Sequence, residues 1–201
     1  MRILFNIGVI TAILLTGTTA QAAEKAIFAG GCFWCVESDF EQVTGVIEAR
    51  SGYTGGTVEN PTYKQVTAGN TGHFEAVEIE YDETVIAYSQ LVDIFFRSVD
   101  PTDADGQFCD RGDSYRTAIF ALDDGQLKVA ADAKRQAAIE LKSHVATIVQ
   151  PAMTFYPAEG YHQDYYKKNK LKYSFYRFTC GRNKRVEQIW GKRAYQGIKD
   201  H

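Results

Sequence analysis

The sequence predicts a single α/β domain, and three observations support this prediction. Short apolar runs of strand length alternate with longer segments whose apolar residues recur at helical spacing. The composition, with 45% hydrophobic, 13% aromatic and 23% charged residues, is globular and excludes extended disorder. The 201 residues also contain no repeat, low-complexity tract or linker that would divide them into separate units.

The first 22 residues have the pattern of a secretory signal peptide. Arg2 supplies a positive charge, residues 3–15 are mostly apolar, and Ala20-Gln21-Ala22 is a small-residue cleavage site. The apolar run is shorter than the roughly 20 residues that a membrane span needs. We therefore expect cleavage after Ala22, export to the bacterial periplasm and a single mature domain of residues 23–201. An uncleaved anchor or a buried strand is the alternative.

The elements that follow are assigned from apolar spacing. We expect strands at residues 25–29, 46–53, 73–81, 116–122 and 146–150. We expect helices from Cys32 to about Val43, over residues 89–99 and 123–143, and near residues 186–190. Residues 102–113 are polar and predict a loop long enough to be functional. The basic tail from residue 167 predicts a solvated, flexible arm.

Gly30-Gly31-Cys32 joins the first strand to the first helix. The unpaired amides and the dipole at a helix start favour a thiolate, so we expect Cys32 to be reactive. Cys35 follows three residues later on the same helix face, which is typical of a redox pair. The alternative is two buried structural cysteines. No metal site is expected, because Cys109 and Cys180 are isolated in the sequence and zinc sites usually take four ligands.

One carboxyl lies out of place in the strand at 73–81. Glu75 shares its face with Val77, Ile79 and Tyr81, which are apolar. Burial there raises the pKa of a carboxyl and keeps it protonated. The alternative is an edge position in water.

Charge excludes one class of function. The chain has 22 basic and 25 acidic residues and a formal charge of −3, which argues against a nucleic-acid binder.

Gly-Cys-Phe-Trp-x-x-Glu at residues 31–37 resembles the signature of the A-type peptide methionine sulfoxide reductases. Further blocks resemble the family in the same order, at residues 52–56, 60–63, 72–75, 100–102, 110–117, 155–159 and 161–165. The resemblance covers about residues 25–180. It implies a compact α/β roll with a ferredoxin-like mixed sheet core and an irregular C-terminal tail.

The resemblance also implies an activity, the reduction of the S epimer of methionine sulfoxide in proteins. This chemistry needs a thiolate that attacks the sulfoxide sulfur and an acid that protonates its oxygen. Cys32 and Glu75 fit these two roles. Phe33 and Trp34 can wall an apolar pocket for the methyl group, although one of them could simply be core.

Three polar residues take their roles from the family. The matching positions imply that Tyr63 and Tyr115 hydrogen-bond the sulfoxide oxygen and that Asp110 helps to orient the site. The family also places the His162 region near the pocket, and we treat His162 as a supporting residue.

Turnover leaves a sulfenic acid on Cys32, which a second thiol must resolve to a disulfide. We favour Cys180, because the family usually keeps its resolving cysteine in the tail. Cys35 and Cys109 remain open alternatives. A thioredoxin-like donor then reduces the disulfide. No cofactor, metal, nucleic acid or lasting membrane association is expected, and a monomer is expected.

Two other functions compete with this interpretation. A general thiol–disulfide oxidoreductase would use Cys32 and Cys35 equally and would need no sulfoxide. A non-catalytic exported binding domain would use the aromatic pocket for a peptide but would leave Cys32 and Glu75 unexplained.

Overall fold

The computed structural model describes residues 23–199, so the predicted signal peptide lies outside the described residues. The strands are β1 (Glu24–Gly30), β2 (Val46–Thr54), β3 (Phe74–Tyr81), β4 (Gly106–Gln107), β5 (Asp110–Arg111), β6 (Thr117–Ala121), β7 (Ile148–Pro151) and β8 (Tyr156–Pro157). The helices are α1 (Phe33–Phe40), α2 (Tyr63–Ala68), α3 (Tyr88–Arg97), α4 (Asp124–Leu141), α5 (Tyr165–Lys168), α6 (Lys170–Thr179) and α7 (Arg182–Trp190).

Six strands form one sheet in the order β7-β6-β1-β3-β2-β8, and β4 and β5 form a separate pair. Neighbours in the large sheet are antiparallel except β6 and β7, which run parallel, so the sheet is mixed. The predicted α/β class with a mixed sheet core is confirmed.

Both faces of the sheet are covered near its centre, where β1 lies. Alternate residues of a strand point to opposite faces. Phe28 accordingly joins the larger apolar cluster, while Ile27 and Ala29 join a smaller one on the other side. Because β1 is buried on both faces, its sequence is a continuous apolar run rather than an alternation.

The register of the central strands brings the end of β1 close to β3. Phe28 lies opposite Val77 in the antiparallel β1–β3 pair. Continuing this register by two residues places Glu75 beside the end of β1, where Cys32 follows. Gly31 makes the turn with a φ of +83°, and a Cβ there would lie 2.6 Å from the Gln107 side chain.

The C-terminal tail is helical, which differs from the expected irregular, flexible arm. Asp39 of α1 is fully buried, and its carboxylate pairs with Arg177 of α6 at 2.8 Å and lies 3.8 Å from Arg182 of α7. Both arginines are buried as well. The expectation failed because it treated every tail charge as solvated, whereas these two cations compensate a buried carboxylate.

Residues 102–113 also contain more structure than the predicted loop, because the β4–β5 hairpin lies within them. Among residues 23–199, no helix is both long and apolar enough to cross a bilayer.

Candidate active site

The sulfur of Cys32 and the carboxyl of Glu75 lie next to each other at the head of α1. Cys32 is the N-cap residue of α1, as its position after β1 predicted. The first amide of the helix, the N–H of Phe33, donates to Glu75 Oε2 at 3.0 Å. An otherwise unpaired helix donor therefore holds the carboxyl beside the thiol.

Glu75 is 1% exposed, as its place on an apolar strand face predicted. Burial raises the pKa of this carboxyl to about 8, and the nearby acidic groups of Asp110 and Cys35 add to the rise. Hydrogen bonds from Phe33 and Tyr115 oppose it only in part. At neutral pH the side chain is therefore largely protonated and able to donate its proton.

The two cysteines of α1 depart from the expectation that the helix start makes Cys32 a thiolate. Cys32 is only 6% exposed, and burial together with Cys35 and Glu75 raises its pKa well above the usual range. The hydrogen bond from Cys32 instead lowers the pKa of Cys35 to about 7, with help from the charges of Arg182 and Arg177. Cys35 therefore loses its proton before Cys32 does, and Cys32 is a thiol in the resting site.

A polar group of tyrosines surrounds the thiol and the acid. The Tyr115 hydroxyl lies close enough to Glu75 and to Tyr63 to lower the pKa of each in part. The Tyr176 hydroxyl donates to Asp110 Oδ2 and lies close enough to Cys32 to lower its pKa in part. Because Tyr63, Tyr115 and Asp110 are partly exposed, this group can present hydroxyls to a polar oxygen of a bound molecule.

An aromatic wall stands beside the polar group. The Trp34 indole N–H donates to His162 Nδ1 at 3.0 Å, and the Tyr165 ring stacks on Trp34 at a centroid distance of 3.8 Å. Burial lowers the pKa of His162, so this ring is neutral and can accept that hydrogen bond. Trp34 is partly exposed whereas Phe33 is buried, so Trp34 forms the accessible wall and Phe33 supports it from below.

Glu37 fixes the segment that carries this wall. Its buried carboxyl accepts from the Ser51 hydroxyl of β2 and from the backbone N–H of Asp164, which precedes α5. Burial raises the pKa of Glu37 to about 7. The glutamate of the motif at residues 31–37 thus positions the wall and does not face the thiol.

The other two cysteines are paired with each other. Cys109, before β5, and Cys180, at the end of α6, form a disulfide, while Cys32 and Cys35 are free. Cys109 is exposed and Cys180 is partly buried. The Asp110 carboxylate lies 3.9 Å from each sulfur of this disulfide. The sequence showed these cysteines as isolated, because 71 residues separate them.

This geometry offers two-electron thiol chemistry coupled to proton donation. A nucleophilic sulfur, a protonated carboxyl, tyrosine hydroxyls and an apolar wall converge at the head of one helix. Substrates that combine an electrophilic sulfur, a basic oxygen and an apolar substituent match this set.

Known proteins match the whole of the described chain. The family model for peptide methionine sulfoxide reductase matches residues 24–194. The chain belongs to the peptide methionine sulfoxide reductase family. Peptide methionine sulfoxide reductase MsrA 2 of Rhizobium meliloti (strain 1021) is 50% identical over 198 residues, 98% of each chain. A relative of the same name from Caulobacter vibrioides is 49% identical over 90% of this chain and 94% of its own.

Solved structures agree with this assignment. Methionine sulfoxide reductase A of Corynebacterium diphtheriae superposes with a TM-score of 0.72 at 32% identity, covering 79% of this chain and 81% of that one. Reduced Mxr1 of Saccharomyces cerevisiae superposes with a TM-score of 0.71 at 32% identity, covering 74% of this chain and 87% of that one. This reductase is a thiol-dependent oxidoreductase that reduces methionine sulfoxide to methionine.

The structure brings the predicted site residues of the reductase into two connected groups. Cys32, Phe33, Trp34, Tyr63, Glu75 and Tyr115 form the first group, and Asp110 links it through Tyr176 to Cys180. Sequence reasoning missed Tyr176, because an aromatic in a basic tail carries no local signal of its target. The helical spacing of the buried Tyr173 and Arg177 could have indicated that this part of the tail packs inward.

The raised pKa of Glu75 predicts how stability depends on pH. The folded protein retains a proton on Glu75 up to about pH 8, whereas the carboxyl of the unfolded chain ionises near 4.5. The stability that this proton contributes is complete below pH 4.5 and is lost as the pH rises from there through about 8. We therefore expect Glu75→Gln, which cannot ionise, to gain unfolding free energy relative to the wild type between pH 5 and pH 8.5.

Urea denaturation of both proteins across this range measures the difference. Glu80→Gln on the same strand is the matched control, because Glu80 is partly exposed. Parallel curves for Glu75→Gln and the wild type would show that Glu75 is not a proton-holding group of the folded state.

Proposed function

We propose that this reductase repairs oxidised proteins by reducing the S epimer of methionine sulfoxide, with Cys32 as the nucleophile and Glu75 as the acid. The hydrogen bond from the Phe33 amide to Glu75 carries the proposal, because it fixes a protonated carboxyl beside the Cys32 sulfur. The resemblance to A-type reductases at residues 31–37 supports the choice of epimer.

Substrate binding uses the aromatic wall and the tyrosines. The exposed side of Trp34 receives the methyl group, because it is an apolar surface that a ligand can reach and the stack on Tyr165 fixes its orientation. The sulfoxide oxygen lies against the hydroxyls of Tyr63 and Tyr115 and within reach of Glu75. Asp110 holds Tyr176 and so fixes the hydroxyl that contacts Cys32.

In the first chemical step the proton of Cys32 passes to the Cys35 sulfur, which can accept it because the lower pKa of Cys35 leaves that sulfur deprotonated first. The Cys32 thiolate attacks the sulfoxide sulfur while Glu75 protonates the oxygen. The hydroxyl then passes from the methionine sulfur to the Cys32 sulfur, so that the methionine sulfur–oxygen bond and the new sulfur–sulfur bond both break. Methionine leaves with the electron pair on its sulfur, and Cys32 is left as a sulfenic acid. Methionine sulfoxide is reduced by two electrons and Cys32 is oxidised by two.

Cys35 is placed to resolve this sulfenic acid. Its thiol is hydrogen-bonded to Cys32, whereas Cys180 is held in its disulfide with Cys109. Attack by Cys35 on Cys32 forms a disulfide and releases the hydroxyl as water, which balances the cycle at one sulfoxide and two thiols consumed. The preference for Cys180 as the first resolving cysteine therefore stays a prediction, and the structure favours Cys35 for that step.

We propose instead that Cys180 transfers electrons from the reduced surface pair, Cys109 and Cys180, to the Cys32–Cys35 disulfide. A thioredoxin-like dithiol reduces Cys109–Cys180 at the exposed Cys109, and the released Cys180 thiolate then attacks the Cys32–Cys35 disulfide. Cys109 completes the exchange and restores both buried thiols. Mxr1 of Saccharomyces cerevisiae, whose structure in the reduced form matches this chain at 32% identity, has also been crystallised in complex with Trx2. That complex supports a thioredoxin-like electron donor.

We expect the Glu75→Gln chain to lose roughly 100- to 10,000-fold in the rate of sulfoxide reduction, since a positioned acid contributes about that factor. The wild-type rate should fall as the pH rises through about 8, where Glu75 loses its proton, and this fall should be absent in the variant. Incubation with dithiothreitol and the separate epimers of a methionine sulfoxide peptide measures both effects.

Only the S epimer should disappear in this assay. Equal loss of both epimers, or activity in Glu75→Gln that matches the wild type, would contradict the assignment of Glu75 and of the substrate. Thiol–disulfide exchange activity without sulfoxide reduction would favour the general oxidoreductase instead.

The cysteine assignments are tested by mapping disulfides after one turnover of the reduced protein. We expect the Cys180→Ser chain to release one methionine and to form the Cys32–Cys35 disulfide. The Cys35→Ser chain lacks both the proton acceptor and the resolving thiol, so it should form the sulfenic acid on Cys32 more slowly than the wild type but should then retain it in a form that reacts with dimedone. A Cys180→Ser chain that forms no disulfide would assign the resolving step to Cys180.

We also propose that the protein is exported and that residues 23–201 form one catalytic domain. The pattern of residues 1–22 supports this, and expression in a bacterium followed by N-terminal sequencing of periplasmic protein tests it. The sequence should begin at Ala23. Exported protein that still begins at Met1 would refute cleavage.

A further inference from the structure

We propose that Cys109, Cys180 and Asp110 form a zinc-binding site when the Cys109–Cys180 disulfide is reduced. The three residues come from two distant parts of the chain, the β4–β5 hairpin and the end of α6. One potential ligand atom from each lies within 4.8 Å of the other two. The activity described above neither requires nor assigns a metal at this position.

The ligand types suit zinc. Two thiolates and one carboxylate form a mixed sulfur and oxygen set that Zn²⁺ accepts, and three protein ligands with a fourth position open to water are common in its sites. Hard cations such as Mg²⁺ and Ca²⁺ prefer oxygen ligands alone, so this set disfavours them. The other three-residue cluster in the described chain, Glu37, Glu41 and Asp164, contains only carboxylates, and Lys167 already pairs with two of them.

The distances approach those of a tetrahedral site before any metal is added. Bond lengths of about 2.3 Å to sulfur and 2.1 Å to oxygen require roughly 3.6 Å between a sulfur and an oxygen ligand and roughly 3.8 Å between two sulfurs. Each sulfur has one Asp110 oxygen at 3.9 Å, Oδ1 for Cys109 and Oδ2 for Cys180, and a single carboxylate oxygen lies within 4.8 Å of both sulfurs. Once reduction breaks the disulfide, the sulfurs have to move apart and the carboxylate has to turn so that one of its oxygens approaches both of them.

The carboxylate is available to a cation. Among residues 23–199, Asp110 has no partner at ion-pair distance; it accepts a hydrogen bond from Tyr176, which leaves further lone pairs. Arg111, the nearest basic residue in sequence, is held by Asp103 at 2.9 Å. Cys109 is exposed and gives the metal a route from solvent.

A dithiol supplies two electrons and two protons to the disulfide. A phosphine supplies the two electrons, while water supplies the protons and the oxygen of the phosphine oxide. Zinc binding then releases both thiol protons. Zinc and the proposed inward transfer of electrons would compete for the same sulfurs. That consequence rests on the proposed function, whereas the site itself does not, because zinc binding is measured without any sulfoxide.

The test uses the full chain reduced with a phosphine and titrated with Zn²⁺ against a chromophoric chelator. We expect one zinc ion per chain with a dissociation constant below about 1 μM, and none in the oxidised protein. Cys109→Ser and Asp110→Asn should each weaken binding by about 100-fold or more. Co²⁺ in place of zinc should give the sulfur charge-transfer and tetrahedral absorption bands of a two-thiolate site.

Two matched controls identify the ligands. Cys35→Ser disrupts the other cysteine pair, and Asp105→Asn removes a neighbouring exposed carboxylate that is not a ligand; both should bind zinc like the wild type. The proposal is overturned if the reduced wild type binds zinc no more tightly than the Cys109→Ser/Cys180→Ser double variant. It is equally overturned if binding is lost in Cys35→Ser and kept in Cys109→Ser.

Discussion

The burial of a carboxyl and a thiol against one helix start determines the protonation of the whole site. Glu75 and Cys32 are both removed from water, and each would raise the pKa of the other if both were charged. The resting site therefore keeps its protons on these two groups, although a helix start favours anions. Desolvation outweighs the dipole here, because the dipole contributes about 1–2 kcal/mol at most, whereas burial can shift a pKa by several units.

Because Cys32 rests as a thiol, its activation has to come from a neighbour, and Cys35 is the group that the structure provides. The cations of α6 and α7 that approach Cys35, Arg177 and Arg182, are the same ones that pair with Asp39. The buried ion cluster thus holds the tail against α1 and lowers the pKa of Cys35, one helical turn beyond Cys32.

Local patterns were sufficient for the longer strands β1, β2, β3, β6 and β7, for the helices α1, α3, α4 and α7, and for the burial of Glu75. The alternation around Glu75 predicted its burial, and the turn after β1 predicted Cys32 at a helix start. Features that depend on contacts between distant segments could not be predicted in this way. The Cys109–Cys180 pair, the contacts of Tyr176 and the burial of Arg177 and Arg182 all require knowledge of how the tail packs. A basic segment is predicted to be exposed to solvent unless the buried carboxylate that it neutralises is known.

The tail also explains why the two cysteine pairs differ so much in accessibility. Tyr176 contacts Cys32 on one side and Asp110 on the other, so the same side chain that closes the buried pair also borders the surface pair. Asp110 in turn lies against both sulfurs of the surface disulfide. Two side chains, Asp110 and Tyr176, thus form a continuous line of contacts from the surface disulfide to Cys32. Under the proposed mechanism this line joins the site where electrons enter to the pocket where the sulfoxide binds, so the two sites are in contact without any large movement of the fold.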